Sequence, residues 1–350
     1  MAEIKLNKKH PLYQEDLSYI LETEGLKELH GKSVLITGAT GMLGLCLIDA
    51  LMKFNREKNA HVMVYAVSRS KEKATARLGE YYDNPLFCLL EQDVRTPFPD
   101  DLKVDYIIPG ASNTHPLAYS KFPIETIEIN VLGMMNALNK ASQCGAVVLC
   151  MSTVEVYGNA RGEDVFTEDY TGVLNLSNSR SCYTESKRVC EALCQSYIAE
   201  RGVSVKIVRL SRIFGPTMLD SDTKASSQFI KKALNNEDIV LKSKGEQFFS
   251  YTYVADAVSA ILHVLFNGEN GVAYNISNSS CNVRLKDFAR LCAEYAGKKI
   301  VFDLPSESEA KGYSVATKAI LDNGRLKALG WNIGFSMDNA LRRLFEILTY

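Results

Sequence analysis

A tyrosine and a lysine stand four positions apart in the segment Tyr183-Thr-Glu-Ser-Lys187. If this segment opens a helix, the two side chains lie one turn apart on the same helical face. A lysine ammonium near a phenol favours the phenolate, which would let Tyr183 take the proton of a sugar hydroxyl at neutral pH. Lys187 could also hold the ribose of a nicotinamide cofactor. The same spacing is common on exposed helices, so other residues must decide between these interpretations.

A second group of polar residues follows an apolar run at residues 146–151. This run is typical of a buried strand, and ligands of parallel sheets bind at the carboxyl ends of strands. Ser152 or Thr153 can hydrogen-bond a reacting hydroxyl there, and Glu155 offers a carboxylate close to a substrate. The alternative for Glu155 is an acid that caps a helix or faces solvent.

Three glycines follow another apolar run, in the segment of residues 33–44. Gly38 can adopt a backbone conformation that a side chain would forbid, Gly41 leaves room for a pyrophosphate, and Gly44 allows a helix to pack close to the sheet. The free N–H groups of that helix would face the phosphates. The segment therefore predicts a dinucleotide cofactor, with contacts from Gly38, Thr40, Gly41, Met42, Leu43 and Gly44.

The elements that must position these residues alternate between strands and helices. Apolar, β-branched runs predict strands at 33–37, 62–67, 86–90, 104–109, 146–151 and 203–210. Helical periodicity lies between them, at about 42–54, 70–82, 124–144 and 184–201. Such alternation predicts an α/β fold with a parallel sheet that is covered on both faces.

The pattern of predicted elements changes at both ends of this region. Residues 1–30 contain a short amphipathic helix with Tyr13, Leu17 and Ile20, which could be a packing arm or a dimer element. After Pro216 the predicted elements become shorter. We therefore expect an N-terminal helical arm at 1–30, a dinucleotide-binding domain at 31–215 and a substrate-binding lobe at 216–350, with some segments of the lobe returning to the core.

Composition narrows the possible functions. The chain has 350 residues, 46% of them hydrophobic, which is enough for a full core. The net charge of −1 gives no field that favours nucleic acid, and no apolar run is long enough to cross a membrane. Nine scattered cysteines without ligand spacing indicate reduced thiols and no metal site. With no apolar stretch typical of a signal peptide at the start, a cytoplasmic protein is expected.

With these motifs in order, the chain resembles the extended short-chain dehydrogenase/reductases of the epimerase/dehydratase type, which modify nucleotide sugars. The resemblance rests on the glycine turn, the Thr153 and Tyr183 segments, and further motifs that span residues 33–331. These further motifs are Asp93-Val94, Gly110-Ala-Ser112, Arg209-Leu-Ser-Arg-Ile-Phe-Gly-Pro216, Tyr253-Val-Ala-Asp256, Tyr274-Asn-Ile276 and Leu329-Gly-Trp331. The subgroup that it is most similar to is the UDP-glucuronate decarboxylases, through Arg180 to Glu191 and the pair Thr153 and Glu155.

This resemblance implies a Rossmann-type doubly wound parallel sheet with a smaller intertwined α/β lobe. It implies NAD or NADP as cofactor, with further contacts from Ser68, Arg69, Asp93, Val94, Gly110, Ala111 and Ser112. A nucleotide-diphosphate sugar would be bound by Ser152, His115, Arg180, Arg212 and Tyr253. A homodimer is implied through the helices near 124–144 and 184–201, with a possible seam of Leu132, Met135, Leu138, Val189, Leu193 and Tyr197.

The implied reaction passes through a ketone at C4 of the sugar. Tyr183 would deprotonate the C4 hydroxyl, and the ketone would stabilise the carbanion left when CO2 is lost, with Glu155 and Thr153 positioning substrate and managing protons. Decarboxylation is favoured over epimerisation. Val154 stands where the related 4,6-dehydratases carry an aspartate, which makes loss of water less favoured.

Three departures from the family pattern bear on cofactor and substrate. The segment after the second strand, Ala66-Val-Ser-Arg-Ser-Lys71, has no acid for a ribose hydroxyl, and Arg69 and Lys71 favour the 2′-phosphate of NADP. Arg212 replaces a frequent asparagine, and Phe249 replaces an arginine that grips the substrate diphosphate. Either Arg212 takes over phosphate binding or the substrate differs.

Two other functions stay open at this level. The basic residues Arg69 and Lys71 also suit an NADPH-dependent reductase that makes a reduced nucleotide sugar or a nucleotide-alditol for a surface polysaccharide. A non-catalytic sensor of sugar nucleotides is disfavoured because Thr153, Tyr183 and Lys187 are all present.

Overall fold

A computed structural model describes residues 6–114, 116–160, 165–303 and 318–349. Within these ranges, no helix combines the length and the apolar character needed to cross a membrane. Two kinds of region can be distinguished, a seven-stranded parallel sheet with its helices and a set of smaller sheets after residue 210.

The first region begins with a short helix and then alternates strands and helices. Its elements, in chain order, are α1 (Pro11–Leu21), β1 (Ser33–Thr37), α2 (Met42–Lys58), β2 (Met63–Ser68), α3 (Lys71–Leu78), β3 (Phe87–Glu91), β4 (Tyr106–Pro109), α4 (Pro116–Lys121), α5 (Pro123–Cys144), β5 (Val147–Thr153), α6 (Ser181–Arg201) and β6 (Val205–Leu210).

The second region has shorter strands. Its elements are β7 (Arg212–Phe214), α7 (Ala225–Leu234), β8 (Ile239–Leu241), β9 (Phe248–Tyr253), α8 (Val254–Asn267), β10 (Ala273–Ile276), β11 (Asn282–Arg284), α9 (Leu285–Ala296), β12 (Ile300–Phe302), β13 (Lys318–Ala319), α10 (Gly324–Ala328) and α11 (Met337–Thr349).

The large sheet has the order β10-β6-β5-β4-β1-β2-β3, and every pairing in it is parallel. Alternate residues of β1 face opposite sides because side chains alternate along a strand. Val34 and Ile36 join a core that includes α2 and α8, whereas Leu35 joins a core that includes α5 and α6. The predicted doubly wound sheet with helices on both faces is therefore confirmed.

Segments after residue 216 contribute to both regions. β10 is the edge strand of the large sheet, paired with β6, and α8 packs beneath that sheet. The strands β7, β11 and β13 surround β9, and β8 pairs with β12 to form a small separate sheet. The lobe is thus interleaved with the large sheet rather than appended to it.

The N-terminal helix α1 is a packing element of this chain. Tyr13, Leu17 and Ile20 are buried in the core that includes α2 and α8. Asp16 on the same helix is fully buried and accepts hydrogen bonds from Tyr253 Oη at 2.6 Å and from Arg343 Nε at 2.7 Å. Burial raises the pKa of Asp16 to about 6, although both partners act to lower it.

Removing the partner of this buried carboxylate should destabilise the fold in a pH-dependent way. Arg343→Met leaves Asp16 buried without its cation, which costs about 3–5 kcal/mol for a buried pair. A raised pKa in the folded state means that stability is lost as pH rises through that pKa. Urea unfolding should therefore show a larger defect at pH 8 than at pH 5.

Arg342→Met is the matched control, because Arg342 pairs with Glu346 on the surface of the same helix. A surface pair contributes less than about 1 kcal/mol. Equal stability of the two variants at pH 8 would contradict the role given to Arg343.

Candidate active site

A cleft of about 1640 Å³ opens between the large sheet and the second region, where the carboxyl ends of β1, β2, β4 and β5 meet. The strand order reverses around β1, whose neighbours β2 and β4 lead to opposite edges of the sheet. Ligands of doubly wound sheets bind at such a point. Most of the residues predicted for cofactor and substrate line this cleft.

The glycine turn between β1 and α2 is closely packed against its surroundings. Gly38 has φ +66°, and a Cβ there would lie 2.6 Å from the carbonyl of Gly110 at the end of β4. A Cβ on Gly44 would lie 2.4 Å from the Gly38 oxygen, so the first turn of α2 rests directly on the loop. Gly38 is thus required by conformation and by space, and Gly44 by space, as predicted.

Gly41 leaves the start of α2 open to the cleft. It is the residue before the helix, and its own missing side chain would meet only the Gly38 oxygen, at 3.1 Å. The following residues Met42, Leu43 and Gly44 line the cleft in the first helical turn, where N–H groups have no carbonyl of the helix ahead of them. This end of a 17-residue helix suits the pyrophosphate of a dinucleotide.

Further predicted cofactor residues lie around the same turn. Gly110, Ala111 and Ser112 line the cleft after β4, and the Ala111 N–H donates to Thr37 Oγ1 at 3.0 Å. Val94 also lines the cleft. The N–H groups at the start of α2 and the closely packed backbone after β1 and β4 therefore fit a dinucleotide.

Tyr183 and Lys187 both enter the cleft from the first two turns of α6. Their side chains are almost completely buried, with 8% and 6% of their surfaces exposed. Lys187 Nζ donates a hydrogen bond to the carbonyl of Met151 at 2.9 Å, which ties α6 to the end of β5. Thr153, the last residue of β5, lines the same cleft, and its side chain acts to lower the pKa of the Tyr183 phenol. The structure therefore brings the predicted Tyr183, Lys187 and Thr153 together.

The acidity of Tyr183 differs from the sequence-based expectation. Its pKa is raised above the ordinary value, first because burial removes the phenolate from water and second because the Glu155 carboxylate is near. Only the Thr153 side chain acts to lower this pKa. The expected lowering of this pKa by Lys187 is not seen, since Lys187 is not among the groups that shift it, and its ammonium donates to the Met151 carbonyl.

Glu155 lies at the edge of the same group. Its carboxylate is 3.5 Å from the guanidinium of Arg180, and Thr184 Oγ1 donates to it at 3.4 Å. Glu155 and Arg180 both line the cleft, as does Arg212 on β7. Glu155 is thus held beside the tyrosine rather than turned to solvent.

Ser152 has a different partner from the one expected. Its side chain borders the cleft, but its hydroxyl donates to Glu191 on α6, which in turn accepts from Arg209 Nε at 3.0 Å and Nη2 at 2.7 Å. With only 3% of its surface exposed, Ser152 anchors the end of β5. Its predicted role as a substrate contact stays a prediction, since the side chain lines the cleft.

Two other predicted residues do not line the cleft, and a third is not among the described residues. Tyr253 is completely buried and donates to Asp16, so its assignment to substrate binding is wrong. Asp93 is held by the Arg95 guanidinium, which keeps the pKa of that carboxyl below its usual range, and it does not line the cleft. His115 lies outside the described residues.

The basic residues after β2 are arranged differently from the prediction. Arg69 lines the cleft with Ser68, and its guanidinium pairs with Glu125 on α5. Lys73 lines the cleft one helical turn into α3, whereas Lys71 does not. The basic edge of the cleft therefore consists of Arg69 and Lys73.

The sequence-based reasoning missed one aromatic neighbour of the reacting group. Tyr119 on α4 stacks on Tyr183, with ring centroids 4.8 Å apart and an interplanar angle of 23°. It is 4% exposed and lines the cleft. Nothing in its local sequence marks it, because the contact joins two positions 64 residues apart in the chain.

Comparison with known proteins is consistent with this geometry. The structure is similar to a UDP-glucuronic acid 4-epimerase from Bacillus cereus, solved with UDP-glucuronic acid and NAD (TM-score 0.76, 19% identity, 90% of this chain and 98% of that one). It is equally similar to a dTDP-glucose 4,6-dehydratase from Streptomyces venezuelae (TM-score 0.76, 21% identity, 90% and 96%). At these identities the likeness concerns the fold, which is that of NAD-dependent sugar-nucleotide epimerases and dehydratases.

Curated sequence relatives have a higher identity to this chain than these two structures have. The chain is 31% identical over 318 residues to UDP-glucuronic acid decarboxylase 1 of Xenopus tropicalis, covering 91% of this chain and 72% of the relative. It is 35% identical over 246 residues to UDP-glucuronic acid decarboxylase 3 of Arabidopsis thaliana, covering 70% and 69%. The model of the NAD dependent epimerase/dehydratase family matches residues 34–277. The chain therefore belongs to the NAD dependent epimerase/dehydratase family and is an enzyme of that family.

Proposed function

We propose that this enzyme oxidises the C4 hydroxyl of a nucleotide-diphosphate sugar to a 4-keto intermediate and decarboxylates it, with UDP-glucuronate as the favoured substrate and epimerisation as the second outcome. The observation that carries the proposal is the buried Tyr183 phenol, which shares one cleft with Thr153, Glu155 and the glycine turn after β1. The similarity to UDP-glucuronic acid decarboxylases supports the same choice of substrate.

Each protein group has a separate task in this reaction. Tyr183 takes the proton of the C4 hydroxyl in its phenolate form, with Thr153 beside it in the cleft. Burial and Glu155 disfavour the phenolate in the chain by itself, so a positive charge bound in the cleft, such as that of an oxidised nicotinamide, would have to stabilise it. Held by the turn after β1 and the start of α2, NAD(P) would supply reversible hydride transfer at C4. Once C4 is a ketone, it accepts the electron pair of the C5 carbon–carboxylate bond, and CO2 leaves. Glu155 then orients the group that gives C5 its proton, and Tyr183 returns its proton to the C4 oxygen when the ketone is reduced again.

Replacing the proposed base should remove catalysis without removing binding. Tyr183→Phe should lower kcat by about 10²–10⁴-fold, the usual range for loss of a general base, with little change in substrate affinity. The measurement is mass spectrometry of UDP-glucuronate incubated with each cofactor, where loss of CO2 identifies the decarboxylase and unchanged mass identifies the epimerase.

Tyr295→Phe is the control, since Tyr295 is 45% exposed and does not line the cleft. Full turnover by Tyr183→Phe would refute the assignment of the base. A gain of two hydrogens with net consumption of NADPH would instead establish the reductase alternative.

We further propose that the enzyme accepts NADP at least as well as NAD. Arg69 and Lys73 place two cations at the end of β2, and among the described residues lining this end of the cleft none is an acid. Two neighbouring cations suit a 2′-phosphate. Glu125 pairs with Arg69 and offsets part of this positive charge. The same two cations are the specific observation that favours the reductase alternative.

The two cations should matter for one cofactor only. Lys73→Ala or Arg69→Ala should weaken NADP binding about tenfold, because each loses a charge-assisted contact worth about 1.5 kcal/mol, and should change NAD binding less than about twofold. Isothermal titration measures both constants. Lys71→Ala serves as the control because Lys71 does not line the cleft. Equal effects on the two cofactors would exclude a 2′-phosphate contact.

We also propose a homodimer through α5 and α6. These helices pack on each other and leave apolar side chains exposed, with Leu132 at 40% and Val189 at 43%. Leu138, which was included in the predicted seam, is fully buried in the core of its own chain and cannot contribute. Met135, Leu193 and Tyr197 are half-buried.

A charge in this seam should separate the subunits. Val189→Glu should shift the sedimenting mass from twice 38.9 kDa to a single chain, because a carboxylate would be buried against apolar surface. Val301→Glu is the matched control, at 42% exposure on β12. Wild-type protein that sediments as a single chain at micromolar concentration would contradict the proposal.

A further inference from the structure

Arg212 occupies an unusual position in the substrate part of the cleft. It is the first residue of β7, which runs parallel to β9 with Arg212 opposite Tyr251. Its guanidinium carbon lies 3.5 Å from the ring centroid of Phe249, a buried residue of β9. Both side chains line the cleft. The cation is therefore fixed in direction by an aromatic face rather than by hydrogen bonds.

The guanidinium of Arg212 is not neutralised by the chain. Its Nη1 atom is buried and has no hydrogen-bond partner among the described residues. Two other arginines held in the interior behave differently, because Arg209 pairs with Glu191 and Arg343 pairs with Asp16. An unpaired buried cation is costly, and burial accordingly lowers the pKa of Arg212.

The charges around Arg212 do not remove this excess. Glu155 is the nearby acid that acts on it, and Glu155 is already paired with Arg180. Two guanidinium groups thus share one carboxylate beside Tyr183. An anion bound from outside the chain balances this excess positive charge. A planar guanidinium offers two parallel donors to phosphate or carboxylate oxygens.

We infer that Arg212, held by Phe249, binds an anionic group of the nucleotide sugar and selects for it. This inference rests on the proposed function and extends it. The shared chemistry is a pair of anionic oxygens, which can come from the diphosphate or from a carboxylate on the sugar. Phe249 is a positioning residue, since it orients the cation without neutralising it.

The test compares three ligands that separate the two sources of oxygen. UDP contains the diphosphate alone, UDP-glucose adds a neutral sugar, and UDP-glucuronate adds the carboxylate. Isothermal titration in the presence of cofactor compares wild type and Arg212→Met, each carrying Tyr183→Phe so that UDP-glucuronate binds without being turned over. Methionine keeps an apolar contact with Phe249 but has no charge. We expect at least about tenfold weaker binding, as for a lost charge-assisted contact.

Two checks separate loss of the contact from loss of the fold. Arg284→Met is the matched control. Arg284 on β11 lies 5.9 Å from the ring centroid of Phe248, the neighbour of Phe249 on β9, and neither Arg284 nor Phe248 lines the cleft. Cofactor binding by Arg212→Met should equal that of wild type. The double variant Arg212→Met with Phe249→Arg returns a cation to the same place from the neighbouring strand and should recover affinity.

Each result has a definite meaning. Equal weakening for all three ligands assigns Arg212 to the diphosphate, and weakening for UDP-glucuronate alone assigns it to the sugar carboxylate. If wild type binds these ligands and Arg212→Met binds them within twofold, the inference is overturned while the proposed function stands. If wild type binds cofactor but none of the three ligands, the proposed function fails as well.

Discussion

The close approach of three backbone segments is the constraint on which the site depends. The turn after β1, the start of α2 and the end of β4 meet at Gly38, Gly44 and Gly110, where a single added methyl would lie less than 3 Å from a backbone oxygen. This contact aims the open end of α2 along the sheet edge. It also places the β4 loop beside β5, so that the cofactor turn and the Thr153 segment share one cleft.

Buried polar groups then divide into two kinds. Most are satisfied within the chain, as in the series Ser152, Glu191 and Arg209, which ties β5, α6 and β6 together. The pair Asp16 and Arg343 joins the N-terminal helix to the C-terminal one in the same way. Arg212 differs, because its buried Nη1 atom has no hydrogen-bond partner among the described residues and leaves a charge that a ligand can balance. A buried group that its own chain leaves unsatisfied is a marker of function.

Much of the fold could be predicted from local pattern. The first six strands and their helices appear within a few residues of the predicted bounds, because apolar β-branched runs and helical periodicity depend on neighbours in the sequence. The strand β9 was not predicted, and neither was α4. From Phe249 the run alternates aromatic and polar residues, which is the period of a strand, so the local signal was present in the sequence and was missed. Its partners β7, β11 and β13 come from other segments of the chain, and no local pattern names them.

The sequence by itself determined the chemical types, their order and the glycine spacing, because side-chain chemistry and backbone freedom are properties of single residues. Tertiary structure decided the rest. It turned Tyr253 toward Asp16, gave the Ser152 hydroxyl to Glu191, stacked Tyr119 on Tyr183 and laid Arg212 on Phe249. Each of these contacts joins residues from different elements, and burial and pKa follow from such contacts rather than from any one residue.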